Sequence, residues 1–108
     1  MSSVQAPDRF PVPPIDQVDL PGVLRALGEP VRLTMVRLLA DGRERPCGEL
    51  CDALGMPAST GSYHMRLLRQ AGLTRVRPVG TERRISLRRE ELDARFPGLV
   101  DVLVADAS

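Results

Sequence analysis

Apolar residues recur along this chain first at helical spacing, then in alternation, then at helical spacing again, with proline or glycine at the breaks. Val23, Leu24 and Leu27 follow Pro21, a residue suited to a first helical turn, and predict a short helix ending at Gly28. Pro30 opens a second, "PVRLTMVRLLADG". There Val31, Met35, Leu38 and Leu39 repeat at helical spacing, while Leu33, Val36 and Ala40 cover much of the remainder. A helix apolar on most sides belongs at the centre of the core, and Gly42 stops it. Arg32 lies within that apolar arc, where a snorkelling or ion-paired structural role is simpler than a ligand contact. In "CGELCDAL", Cys47, Leu50, Cys51 and Leu54 form one narrow stripe, and Glu49 and Asp52 point away.

Gly55-Met56-Pro57 breaks that third helix and a fourth follows almost at once, "ASTGSYHMRLLRQAGL". Helices joined this tightly favour a steep crossing of the helix-turn-helix type over a relaxed antiparallel pair. After Gly72 the period changes to two. "LTRVRPVGTERRISLR" alternates, turns at Val79-Gly80-Thr81-Glu82 and alternates again, which predicts a β-hairpin with Pro78 at an edge or beside the turn. In the tail, Glu90 and Glu91 suit a first helical turn, and Pro97 starts a fresh segment. Its stripe of Leu99, Val100, Leu103 and Val104 has little of a small domain left to cover it. A two-fold dimer solves that economically, with tail helices packing on each other and on Leu24 and Leu27 of the first helix.

The expected fold is therefore mainly α with a small β-hairpin, a winged helix-turn-helix forming a homodimer through its terminal helices. Residues 1–17, rich in proline and serine, are expected to form a flexible or draped arm. Residues 18–108 form the domain, with a wing over about 73–88 and a dimerisation helix over about 89–105. With 108 residues, one domain and a modest core are expected. No apolar run approaches a membrane span and the N-terminus lacks a secretory layout, so a cytoplasmic protein without membrane contact is expected.

A net charge of +1 looks uninformative until it is divided along the chain. Residues 1–57 carry six arginines against eight acids, residues 58–89 eight arginines against Glu82, and residues 90–108 Arg95 against five acids. A basic third between two acidic flanks points to a polyanion-binding surface rather than to a merely solvated face. All fifteen basic residues are arginine, which reads first as a coding bias, although arginine is also the better partner for phosphate and guanine.

On a helical wheel the fourth helix divides into two faces. Gly61, His64, Met65, Leu68 and Gly72 lie inward, while Ser59, Ser62, Tyr63, Arg66 and Gln70 lie outward with Arg69 near their edge. The front end, from Ala58, Ser59 and Thr60, carries only short side chains. Such a face can lie deep in a major groove, because the backbone approaches base edges while Arg66 and Arg69 reach phosphates or guanines. The hairpin that follows carries Arg75, Arg77, Arg83, Arg84 and Arg88. A helix for the major groove and a basic ribbon for the backbone or minor groove account for both features together. The DNA-binding candidates are therefore Ala58, Ser59, Thr60, Ser62, Tyr63, Arg66 and Arg69 on the helix, with Arg77, Arg83 and Arg84 on the wing.

The stretches "ALGEPVRLTMVRLLADG", "GELCDALGMPASTGSYHMRLLRQAGL" and "VGTERRISL" resemble the ArsR/SmtB family of winged helix-turn-helix repressors over roughly residues 24 to 88. The segment from Ser62 to Leu73 is the most specific. The resemblance implies a homodimer, binding to an operator in double-stranded DNA, and repression released by a ligand. Two positions depart from the family pattern. Pro57 replaces a capping Ser or Thr, so the cap is missing or moved to Ser59, and Gly61 replaces a branched apolar residue. Each change costs up to ~1 kcal/mol, so a recognition helix soft at its front end is expected.

Many members of the family sense metals or arsenite. The family's Cys-x-Cys motif is absent, because Pro46 and Gly48 flank Cys47 where its cysteines would stand. The tail lacks the histidines of the C-terminal site and offers only Asp93 and Asp101. No metal and no cofactor is expected. Cys47 and Cys51 read as buried packing, with thiol redox sensing as a second reading and soft-metal binding as a third. His64 resembles a position that supports the recognition helix from inside. Ser62 and His64 face different ways, and neither a phosphate-binding glycine loop nor a carboxylate pair is present, so no catalysis is expected. The leading function is a dimeric repressor with an unknown small-molecule or redox effector. The alternatives are a winged-helix module that binds protein without DNA, and a repressor switched by oxidation of Cys47 and Cys51.

Overall fold

The structure, a computed structural model, describes residues 10–105. Asp19 caps α1 (Leu20–Leu27), its carboxylate accepting the Gly22 N–H at 2.6 Å with Pro21 in the first turn. Glu29 caps α2 (Pro30–Leu38), accepting the Val31 and Arg32 N–H groups at 2.7 and 3.2 Å. A side-chain cap contributes ~1 kcal/mol, which matters for helices this short. A two-residue strand, β1 (Arg45–Pro46), leads into α3 (Cys47–Leu54). Gly55, at φ 64°, ends α3 in the left-handed region. The Gly55 and Met56 N–H groups return to the carbonyls of Asp52 and Cys51, so the last turn closes on itself and the chain leaves steeply. The recognition helix α4 (Ala58–Gln70) starts two residues later.

The wing consists of β2 (Thr74–Val79) and β3 (Glu82–Leu87), antiparallel, with Thr74 opposite Leu87 and Val79 opposite Glu82. Pro78 lies on the edge strand, where its missing N–H costs no ladder bond. The sheet has a third strand that the sequence pattern did not signal. β1 pairs with β3 on the side away from β2, Arg45 opposite Ile85, giving the order β1-β3-β2. Two residues are too few to show a period. The chain then forms α5 (Arg89–Arg95), turns through Gly98 at φ 86°, and ends in α6 (Leu99–Ala105), so the terminal stretch is two helices with the break beside Pro97.

Met35 of α2 and Leu39, which caps it, are fully buried in one cluster with Leu50 of α3, Leu68 of α4, Ile85 of β3 and Leu92 of α5. α2 is thus central, as its apolar wrap predicts. Of the proposed N-terminal arm, residues 1–9 lie outside the described residues, while residues 10–17 are held on the domain rather than free. Ile15–Gln17 form a single 3-10 turn, and Ile15 packs against the core. Arg88 donates to the Pro13 carbonyl at 2.8 Å, and Arg95 donates to the Val18 carbonyl at 2.9 Å. The reason is chemical: proline-rich backbone offers carbonyls with no ladder partner, and guanidinium groups satisfy them.

Candidate nucleic-acid interface

The front of α4 has no side-chain cap, as Pro57 predicts, and Ala58, Ser59 and Thr60 are exposed there. Tyr63 is 48% exposed. The guanidinium of Arg66 lies 5.6 Å from the Tyr63 ring centroid, so the two outward side chains brace each other. Ser62 is half-buried. On the inner side, His64 accepts from Arg32 at 3.1 Å through Nδ1. A guanidinium can only donate, so the His64 proton is on Nε2. Arg32 also donates to the Ala26 carbonyl at 2.7 Å, tying the end of α1 and the start of α2 to the middle of α4. Both residues take the supporting roles their positions predict.

Gly61 requires a correction. It is buried, and a β-carbon there would collide with Cys51 Sγ of α3. The glycine serves the close approach of the two helices, so it tightens the front of α4 instead of loosening it. Cys51 is buried, and Cys47 is half-buried with its thiol donating to Met65 Sδ at 3.0 Å. Burial, with Cys51 beside it, pushes the Cys47 thiol up, away from the thiolate that redox or metal chemistry needs. Asp93 and Asp101, the residual acids of the tail, both pair with Arg89, at 3.1 and 2.5 Å.

The ten DNA-binding candidates separate into groups. Arg66 and Arg83 are exposed and pair with no carboxylate among the described residues. Arg69, expected at the edge of the outward face, is half-buried. Its guanidinium and that of Arg83 each lie 5.3 Å from the ring centroid of Phe10, a residue the sequence pattern did not single out. Arg77 and Arg84 stand directly opposite each other on the wing, and each has an acid. Arg77 holds Glu44 in a two-pronged pair at 2.6 and 2.7 Å, and Arg84 holds Glu82 at 2.8 Å. Of the other hairpin arginines, Arg75 pairs with Glu91 at 2.5 Å. Arg88 is buried, bonded to Glu91 and to the Gly72 carbonyl. The wing is thus less freely basic than its composition suggests, because carboxylates engage four of its five arginines, Glu44 and Glu91 from outside it and Glu82 from within.

The proposed dimer residues also separate. Leu27 and Val100 are buried within the single chain, 7% and 0% exposed, so neither is available to a partner. Val100 fills the core because α6 folds back onto α2. Leu99 and Leu103 are half-buried. Leu24 and Val104 are exposed, joined by Leu20, which precedes the helix start expected at Pro21, and by Val102, which lies off the tail stripe.

A helix-turn-helix whose second helix carries an uncapped, short-sided front end, followed by an arginine-bearing hairpin, defines a winged helix-turn-helix DNA-binding domain. Residues 27–77 match the helix-turn-helix domain family. The HTH-type transcriptional regulator YceK of Bacillus subtilis, itself uncharacterised, is 34% identical over 82 residues, which is 75% of this chain and 82% of that protein. The HTH-type transcriptional repressor SmtB of Mycobacterium tuberculosis is 39% identical over 75 residues, 68% of this chain and 55% of its own length. Among solved structures, the homodimeric winged helix-turn-helix domain of Mb0332 from Mycobacterium bovis, a possible ArsR-family regulator, superposes with a TM-score of 0.67 at 36% identity. That match covers 81% of this chain and 78% of the other. The repressor BigR from Xylella fastidiosa has the same TM-score at 27% identity, over 82% of this chain and 86% of its own. The chain belongs to the ArsR family of helix-turn-helix transcriptional regulators and is a DNA-binding transcriptional regulator. No helix among the described residues is long and apolar enough to cross a membrane.

Proposed function

We propose that this protein is a homodimeric, cytoplasmic repressor whose two recognition helices enter successive major grooves of a pseudo-palindromic operator, ~34 Å apart. The observation that carries the reading is the outward face of α4. Ser59, Thr60 and Tyr63 are exposed there beside an Arg66 that meets no carboxylate among the described residues. The hydroxyls and Tyr63 make base or near-base contacts, and the uncapped N–H groups of the first turn are available to phosphate oxygens. Arg66 and Arg83 supply salt-dependent phosphate binding. Arg77 and Arg84 contribute less, because Glu44 and Glu82 compete for them. Repression is supported by the SmtB and BigR relatives, and dimerisation by the Mb0332 domain and by exposed Leu20, Leu24, Val102 and Val104. An effector that the cell supplies releases the operator, with no metal or cofactor resident in the protein.

A mobility-shift titration against the gene's own upstream region tests this. Specific binding at moderate salt, lost when Tyr63→Ala is combined with Arg66→Ala, is the expected result. No specific shift, or a shift indifferent to both substitutions, overturns it and favours a protein-binding module.

A further inference from the structure

The Phe10 ring sits over the crevice between α4 and the wing, and two arginines from different elements converge on it. The guanidinium carbons of Arg69 on α4 and Arg83 on β3 are each 5.3 Å from its centroid. Beneath the ring, the crevice is floored by Met65, Val76 and Ile85 and holds about 30 Å³, room for one or two waters. Arg69 Nε is buried there and meets no acceptor among the described residues. Among the described residues no acid hydrogen-bonds Arg69, as Glu44 does Arg77; the aromatic contact holds it.

Two guanidinium groups gathered at one ring repel each other, and left alone they would splay into water. The negative face of an aromatic ring offsets part of that repulsion. A guanidinium resting on a ring also keeps in-plane N–H donors free for an oxyanion. The remaining repulsion is relieved by an anion beside the pair, which is what a nucleic-acid strand lying along α4 and the wing would bring. The ring is well placed to act this way because its segment is fixed nearby. The Pro13 carbonyl is held by buried Arg88, Ile15 packs on the core, and Pro11, Pro13 and Pro14 limit the freedom of the backbone between.

We propose that Phe10 is a positioning residue for DNA binding, its ring fixing Arg69 of the recognition helix and Arg83 of the wing as paired donors to the phosphates of one strand. The proposal rests on the DNA-binding reading of those two elements. It gives the N-terminal segment a function: it carries the ring that joins helix and wing into one electrostatic unit.

The test compares the full-length wild type with Phe10→Leu, which keeps an apolar side chain but removes the π face, and with Phe10→Tyr, which keeps both. The probe is a duplex enriched from genomic DNA by the wild-type protein. Phe10→Leu is expected to weaken binding roughly five- to tenfold and to lower the slope of log K against log salt by about 1, with Phe10→Tyr within about twofold of wild type. In an Arg69→Ala background, Phe10→Leu should cost little more. Without DNA, the ring shifts the side-chain N–H resonances of Arg69 and Arg83 in the wild type, and those shifts should vanish in Phe10→Leu.

Phe10→Leu binding as tightly as wild type with an unchanged slope overturns the proposal. Tighter binding also overturns it, since the ring would then be masking the arginines. A wild-type protein that shifts no duplex at all overturns the DNA-binding reading and this proposal with it.

Discussion

Cys51 Sγ on α3 occupies the place where a β-carbon at position 61 of α4 would stand, so the helix-turn-helix crossing is closed by a glycine against a thiol. Alanine at 61 would gain up to ~1 kcal/mol of helix propensity, but the collision is with an atom buried between two helices and costs more. Gly61→Ala is expected to lower stability by roughly 2 kcal/mol net, a fall of about 10 °C in Tm for a domain this size. Cys51→Ala makes room. In that background Gly61→Ala should be neutral or stabilising in thermal melts. Gly61→Ala more stable than wild type on its own would show that the helices are not in this contact.

Glu44 restrains the wing. Its hydrogen bonds from Arg77 hold its carboxyl below the usual range, so it stays charged at any working pH and keeps Arg77 occupied. Glu44→Gln loosens the hold on Arg77, which stands opposite Arg84, and removes the negative charge paired with it. Operator affinity is expected to rise about threefold, with a salt slope steeper by up to ~1. Unchanged affinity and slope in a fluorescence-anisotropy titration would remove Arg77 from the interface.

Much of this was legible in the sequence because it follows from periodicity. The apolar wrap of α2, the stripe through Cys47 and Cys51, and the alternation from Leu73 to Arg88 each read correctly as an element. Pro57 and Gly55 marked the helix-turn-helix break for local backbone reasons. What could not be read depends on tertiary partners. Leu27 and Val100 look interfacial on a wheel, but which covered stripe meets a partner depends on how α6 folds back. Arg77, Arg84 and Arg88 count equally in a charge sum, although one is held by Glu44, one by Glu82, and one is buried under the chain's own carbonyls. Phe10 had no pattern to betray it, being a single aromatic among prolines.

Glu91 joins the base of the wing to α5, accepting from buried Arg88 and from Arg75. Those bonds lower its carboxyl from 4.5 to about 2. Because the folded value is depressed, the stabilisation is fully present above pH ~4.5 and is lost as pH falls toward 2. Glu91→Gln is therefore expected to be less stable than wild type by ~2 kcal/mol near neutrality, where it leaves buried Arg88 without its counter-charge. Melting curves of the two proteins should converge as pH drops through 4 to 2. A gap that stays constant over that range would mean that the carboxylate's charge contributes nothing.

Leu24 is 51% exposed and Val102 65%, whereas Leu27 and Val100, one turn or less away, are sealed inside the chain. A glutamate therefore has opposite meanings at the two kinds of position. Leu24→Glu or Val102→Glu places a charge on a surface already in water when the chain is alone, so the fold survives. If that surface is the dimer seam, however, the charge is buried against its two-fold copy and association fails. Sedimentation should report monomer with an unchanged circular-dichroism spectrum, and operator binding should fall on the order of a hundredfold as the two half-sites lose their shared protein. Val100→Glu should instead unfold the chain outright. A dimer that withstands both surface substitutions must be held elsewhere, which would move the seam off α1 and α6.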